Sequence, residues 1–397
     1  MSVVSDQTVT GSHPTFVGRR PHTRPNLPPA PPTTVAVIEG IATGAPEPTF
    51  SQSDAADEVA ALFTDAGQQD RIRRIYEKTR INERHLAIDP TDPAFRDFGE
   101  RRGTIRDRMD LYLEHAAPLA IDVARRALGS IPGHVEVGLL VFVTSTGFIA
   151  PGVDVAVIKE LGLPRTTNRV VVNFMGCAAA MNGIRIAADF ARANPDKKAL
   201  VISLEISSVN AVYADDINEV ITHSLFGDGC GAVVVGASGV RQPIPAGGIV
   251  IRETFSHLFD DAEDGIVLGI NDNGITCELS EELPEYIHRG VGPVIDRVLG
   301  SHGLGRSDIG LWAIHPGGPK IIDSSARSLG IDPERADVSW DILARYGNML
   351  SVSLIFVLEQ MAQRGAQDRA ADCTTGVAFS FAPGVTLEGL LFDIVRS

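Results

Sequence analysis

Long apolar runs alternate along this chain with segments whose apolar residues recur at helical spacing. VGLLVFVTSTG, the start of VVNFMGCAAAMNGIRIAADF (Val171 to Phe190), ALVISLEIS (Ala199 to Ser207) and LWAIH carry little polar alternation. Such runs predict strands buried on both faces, as in a parallel sheet. Between them, MDLYLEHAAPLAIDVARRAL has apolar residues at Tyr112, Ala116, Leu119, Val123 and Ala127, the spacing of one helix face. Ser53, followed by Asp54, Asp57 and Glu58, reads as a capped helix start with acids in its first turn. The alternation predicts an α/β fold with helices on both faces of the sheet. Ordered structure is expected to begin with the strand TTVAVIEGIATG. Residues 1–32, which include GRRPHTRPNLPPAPP, lack apolar periodicity and are expected to form a flexible Pro/Arg-rich arm.

Three corners in this pattern carry chemistry. In the first, the apolar run after Val171 gives way at Gly176-Cys177 to small residues and then to a helical pattern (Met181, Ile184, Ala188). A cysteine at a strand-to-helix corner faces unpaired N–H groups at the helix N-terminus, which favour a thiolate. In the second, the strand LWAI ends at His315 and runs into Pro316-Gly317-Gly318-Pro319, which puts the imidazole at a sheet's carboxyl edge. In the third, Gly347-Asn348 opens a helix with apolar residues at Leu354, Val357 and Leu358. Singly, these residues read as a buried structural cysteine, a core histidine and a helix cap. Together they supply a nucleophile, a base and an amide donor. The first and third corners also echo each other, since each is a Gly-led turn, then a helix, then a buried strand.

The segments NFMGCAAAMNG, SLFGDGCGAVVVG, WAIHPGGPKII, YGNMLS and FSFAPGVTLEGLLF resemble, in order, those of type III polyketide synthases. This family includes chalcone synthase and bacterial long-chain alkylpyrone synthases, and the resemblance runs from about Val35 to the C-terminus. It implies a thiolase-like αβαβα layered fold made of two similar halves, residues 33–245 with the cysteine and 246–397 with the histidine and asparagine. It further implies a cytoplasmic homodimer that uses acyl-CoA and malonyl-CoA as substrates and needs no cofactor or metal. Cys177 would carry the acyl group, while His315 and Asn348 would hold the enolate oxygen left by decarboxylation. Phe226 matches the family's gatekeeping phenylalanine, and Arg71, Arg74 and Lys78 match its CoA-phosphate positions. Arg71, Arg74 and Lys78 also share one helical face, which otherwise reads as a solvated charged surface. Thr146, Ser207, Asn210 and Ala211 fall where the family varies to set substrate choice. Ser256 stands at the expected second gate, which is aromatic in chalcone synthase. The lost ring points to a long acyl starter and an alkyl α-pyrone product.

Composition narrows the field further. A length of 397 residues with 44% hydrophobic and 21% charged content gives a globular protein with a large core. A net charge of −15 argues against nucleic acid or an anionic membrane as a general partner. GDGCG leads into the strand AVVVG rather than a helix, so it is not a phosphate cradle. Cys177, Cys230, Cys277 and Cys373 are dispersed without metal-ligand spacing, which suggests a reducing compartment, and the last three read as small core or near-core residues. No stretch is long and uncharged enough for a membrane span. The alternatives that remain are a ketosynthase dependent on a carrier protein, a cysteine hydrolase with the same Cys-His-Asn order, and a non-catalytic acyl-binding protein.

Overall fold

The computed structural model describes residues 34–89, 92, 103–212, 217–239, 243–272, 274–367 and 373–396. The arm expected at residues 1–32 lies outside them. In chain order the strands are β1 (Thr34–Gly44), β2 (Thr49–Ser51), β3 (Glu83–His85), β4 (Val137–Thr144), β5 (Asn168–Asn173), β6 (Lys198–Glu205) and β7 (Gly229–Gly239). They continue with β8 (Ile249–Leu258), β9 (Ile266–Asn271), β10 (Gly274–Leu279), β11 (Leu311–Ile314), β12 (Cys373–Ala382) and β13 (Thr386–Val395). The helices are α1 (Gln52–Ala61), α2 (Ala66–Glu77), α3 (Ile105–Gly129), α4 (Val153–Glu160) and α5 (Ala179–Ala193). After them come α6 (Ile217–Leu225), α7 (Leu283–Ser301), α8 (Pro319–Leu329), α9 (Asp337–Tyr346) and α10 (Ser353–Gln367).

Nine strands form one sheet in the order β11-β12-β13-β8-β1-β7-β6-β4-β5. The arrangement is internally repeated. In the first half β4 and β6 are parallel, and β7 runs antiparallel to β6 and to β1. In the second half β11 and β12 are parallel, and β13 runs antiparallel to β12 and to β8. The halves join where β1 pairs with β8 through Ala36, Val37 and Ile38. The echo between the Cys177 and Asn348 corners is therefore architectural, although the sequences of the two halves do not repeat.

Alternation along the strands builds the layers. Val141 and Val143 of β4 face an inner cluster with α5, α10 and strands of both halves. Leu140 and Phe142 face outward against α3 and α4. In the second half Trp312, Phe379 and Leu391 meet α7 and α8. Helices thus cover each outer face, and α5 and α10 fill the middle. These two are the helices that follow the Cys177 and Asn348 corners.

Two local expectations change. Strand β5 lies at the sheet's edge, and Val171 is 52% exposed. An apolar run marks a strand but does not place it centrally. The cap of α1 is Ser51 rather than Ser53, and its hydroxyl accepts from the Asp54 N–H.

Candidate active site

Gly176 and Gly347 both adopt left-handed backbone, with φ of 51° and 69°. This conformation disfavours residues with a Cβ and lets the chain leave a strand or helix sharply. After Gly176, a single 3-10 turn (Gly176–Ala178) carries Cys177 into α5. After Gly347, Asn348 precedes a 3-10 turn (Leu350–Val352) that enters α10. Between them in the chain, His315 follows β11 directly, and its N–H donates to Phe379 O at 3.0 Å.

The three side chains converge. Asn348 hydrogen-bonds the Cys177 thiol. Its Nδ2 also donates to Gly317 O at 3.2 Å, and its Oδ1 accepts from Leu350 N–H at 2.9 Å. Gly317 packs on the imidazole so closely that an added Cβ would stand 2.9 Å from His315 Cδ2. His315 is 2% exposed, and neither ring nitrogen has a hydrogen-bond partner among the described residues. A buried imidazole left unpaired carries a free-energy cost that a ligand oxygen or sulfur would remove.

Burial works against the expected thiolate. Cys177 keeps some accessible surface but is enclosed by protein. Burial raises its pKa, and the fields of Cys277 and Glu205 add to that, while the hydrogen bond from Asn348 opposes it. Burial holds His315 down at about 3. In both groups burial favours the neutral form.

A cavity of about 1080 Å³ adjoins this cluster. Among the expected site residues, Thr146, Ser207, Asn210, Phe226 and Lys78 line it, as do Gly317 and Leu350 beside the histidine and asparagine. Phe226 pairs with Asn348 through the backbone in an isolated β-bridge. Ala211 lines a second cavity of about 10 Å³, together with Ser207 and Phe226. Arg71 and Arg74 stand on the exposed face of α2 and do not line the large cavity.

Ser256 requires correction as a gate. It is exposed on β8, opposite Glu388, and donates to that carboxylate at 2.8 Å, away from the cavity lining. Its neighbour Phe255 takes the buried side, as strand alternation dictates. Cys277, expected in or near the core, lines the cavity from β10. Its partner across the hairpin is Leu268, whose Cδ1 would lie 3.6 Å from a Cβ on Gly176. Cys277 rather than Ser256 is the non-aromatic side chain beside Cys177. The side chain of Cys373 lies outside the described residues.

Sequence reasoning also missed Glu205. It is fully buried at the end of β6 and accepts from Ser145 N–H, Thr146 Oγ1 at 2.8 Å and Ser351 Oγ. Burial raises its carboxyl to about 7, against the pull of those hydrogen bonds. An acid inside the apolar run ALVISLEIS was the available signal. No cluster able to hold a metal occurs among the described residues.

Residues 31–239 match the family profile "Chalcone and stilbene synthases, N-terminal domain", and residues 251–396 match the corresponding C-terminal domain. A Mycobacterium tuberculosis protein named alpha-pyrone synthesis polyketide synthase-like Pks18 is 62% identical over 371 residues, covering 93% of this chain and 94% of its own. The crystal structure of PKS-I from the brown alga Ectocarpus siliculosus superposes with a TM-score of 0.86 at 38% identity, over 91% of this chain and 99% of that one. The C-terminal type III polyketide synthase domain of Steely1, a Dictyostelium hybrid, gives 0.83 at 28% identity, over 91% and 99%. The layered, internally repeated sheet is thus the thiolase-like fold, and the chain belongs to the chalcone and stilbene synthase family, the type III polyketide synthases, as a decarboxylative condensing acyltransferase.

Proposed function

We propose that Cys177 is the nucleophile, His315 its proton acceptor, and His315 with Asn348 the enolate-binding pair of an α-pyrone-forming enzyme. The carrying observation is the meeting of a thiol, an unpartnered buried imidazole and a fixed amide beside one large cavity. The acyl-CoA carbonyl entering this dry site gives the imidazole a partner. The thiol proton passes to His315 as sulfur attacks, and the CoA thiolate departs with a proton. Malonyl-CoA then loses carbon dioxide, and its developing enolate oxygen accepts from the His315 ring and the Asn348 amide. Preorganised donors of this kind contribute about 10²–10³ in rate each. The enolate carbon attacks the acyl thioester, and repetition lengthens the chain. No cofactor enters, since decarboxylation itself supplies the carbanion.

The name of the mycobacterial relative supports an α-pyrone product. The volume of about 1080 Å³ supports a long alkyl starter, since ligand pockets commonly run from about 300 to 1,000 Å³. Arg71, Arg74 and Lys78 are proposed to hold the CoA phosphates, and Thr146, Ser207, Asn210, Ala211 and Phe226 to shape the chamber. The unpaired edge of β5, with Val171 exposed, supports a homodimer built on that edge. A division of the halves between residues 245 and 246 is proposed, and the gap between the family profiles, which stop at 239 and resume at 251, supports it. Cytoplasmic residence is proposed from the free thiols, and no described helix is long and apolar enough to cross a membrane. Incubation with malonyl-CoA and a ladder of acyl-CoA starters, followed by mass analysis, tests the whole reading. Absence of any pyrone across the ladder overturns it.

A further inference from the structure

One wall of the chamber holds a group of polar residues that the steps above leave unused. Arg84 is 1% exposed, and it makes no ion pair among the described residues. Its Nε donates to Gln52 Oε1 at 2.8 Å, and its Nη1 donates to His223 O at 2.6 Å and Phe226 O at 2.8 Å. Every one of these partners is neutral. The remaining contact is the face of Tyr76, 5.7 Å away. A buried cation held only by neutral acceptors leaves a positive field in its surroundings.

That field falls on the small cavity. Its volume of about 10 Å³ is close to one water-sized probe, so it has room for a single oxygen. Arg84, Ser207 and His223 line it, and Ser207 and His223 line the large cavity as well. Ser207 is 4% exposed, and its hydroxyl has no partner among the described residues. The His223 ring stands edge-on to Phe226, with centroids 6.4 Å apart, and Phe226 in turn pairs with Asn348. Burial depresses protonation of His223, and Arg108 and Arg84 add to that, so it meets a ligand as a neutral imidazole. Asp228 is occupied by Ala87 N–H, Ser208 N–H and Ser208 Oγ, and burial pushes its carboxyl towards the neutral form.

We propose that Arg84, Ser207 and His223 form an oxygen site for the 1,3-diketone of the lengthening chain and favour its enolate form. This rests on the condensing role given to Cys177. After two extensions the thioester carries two keto groups, and loss of the proton between them spreads negative charge over both oxygens. The site holds one oxygen by the Ser207 hydroxyl, the His223 ring and the Arg84 field. The other oxygen is left to attack the thioester carbon. A carbon–oxygen bond forms, the carbon–sulfur bond breaks, and His315, having taken the proton lost on enolisation, returns it to the departing Cys177 sulfur. Ser207 and His223 therefore favour lactone closure over carbon–carbon closure.

The test uses the full chain with Cys177→Ala, so that no turnover intervenes, and undecane-2,4-dione as the probe. Difference ultraviolet spectra report the enolate band on binding. The site should raise that band, and adding either Ser207→Ala or His223→Leu should weaken the enolate-forming affinity about tenfold, the loss expected of a hydrogen bond to a charged group. His223→Gln, which keeps a donor, should retain most of it. Thermal midpoints within a few degrees of the parent establish that each variant is folded. With Cys177 intact, Ser207→Ala should also lower the fraction of product released as pyrone. A diketone that binds only as the neutral ketone overturns the proposal, as does an enolate band unchanged by either substitution. If the parent makes no pyrone, the function proposed above fails, while the diketone titration still decides this site.

Discussion

The Cys177 and Asn348 corners start from the same backbone device, a left-handed glycine followed by a 3-10 turn and a buried helix. They differ in how tightly each is held. Asn348 is fixed at every polar atom: its N–H donates to Leu225 O, its carbonyl accepts from Gly227 N–H, and both side-chain atoms are bonded. Cys177 sits on a turn with no side-chain cap, and its sulfur is touched by that same amide. In the proposed mechanism one half of the molecule thus presents a reactive atom that must accept, carry and release an acyl group. The other half presents a rigid donor that need only stay in place. A duplicated architecture allows this division, because each helix start can be specialised without rebuilding its layer.

The largest expected effect breaks the comparison at the reactive corner. Cys177→Ala should lower polyketide formation by about 10⁴-fold or more, as for other lost nucleophiles. Decarboxylation of malonyl-CoA should persist, measured by acetyl-CoA release. Polyketide formation at the parental rate would remove Cys177 from the mechanism.

At the fixed corner, Asn348→Asp keeps the acceptor for Leu350 N–H but replaces the donor with a charge. Decarboxylation should fall about 10²–10³-fold, the loss typical of an oxyanion donor. Acylation of Cys177 by acyl-CoA, followed by intact-protein mass, should suffer less. Equal losses in both half-reactions would show that the corners do not divide the work.

Glu205 joins the end of β4 to the Asn348 corner, since it bonds Ser145 and Thr146 on one side and Ser351 on the other. Its carboxyl is raised from 4.5 to about 7, so the native state binds the extra proton in that window. The associated stability, on the order of 3 kcal/mol, is present at low pH and lost as pH rises from about 4.5 to 7. His315, lowered from 6.5 to about 3, acts oppositely and adds stability as pH rises through its own window. In Glu205→Gln the thermal midpoint should therefore climb from pH 5 to 7 more steeply than in the parent. Parallel profiles would mean that Glu205 ionises freely in the fold.

Smaller effects probe the cavity between the corners. Cys277→Phe should shift preference towards shorter starters, at about 0.8 kcal/mol, or roughly fourfold, per methylene excluded. Ser256→Phe, on the outer surface, should leave the chain-length profile unchanged. Smallest of all, alanine at Arg71, Arg74 and Lys78 together should raise the Michaelis constant for malonyl-CoA several-fold with little change in turnover. Exposed charges contribute about 0.2–1 kcal/mol each, and added salt should narrow the difference.

Much of this molecule is written in local pattern. The strands, the helix over Ile105–Gly129 and the Gly-led corners follow from apolar spacing and turn residues within a few positions. The motifs around Cys177, His315 and Asn348 gave the family by resemblance. Other features depend on what packs against a residue from far along the chain. Ser256 faces outward because β8 pairs with β13 in a register that sets it opposite Glu388, and shifting that register by one residue would reverse the faces. Cys277 reaches the chamber because the β9–β10 hairpin folds over Gly176. Val171 is exposed because β5 received no neighbour on its outer side. The desolvation that favours the neutral forms of Cys177 and His315, and the cationic wall at Arg84, arise from elements contributed by both halves. Sequence thus determined which groups this protein brings to its chemistry, since spacing and turn chemistry act locally. Tertiary structure decided which face, neighbour and charge each group has, since those depend on register, burial and distance.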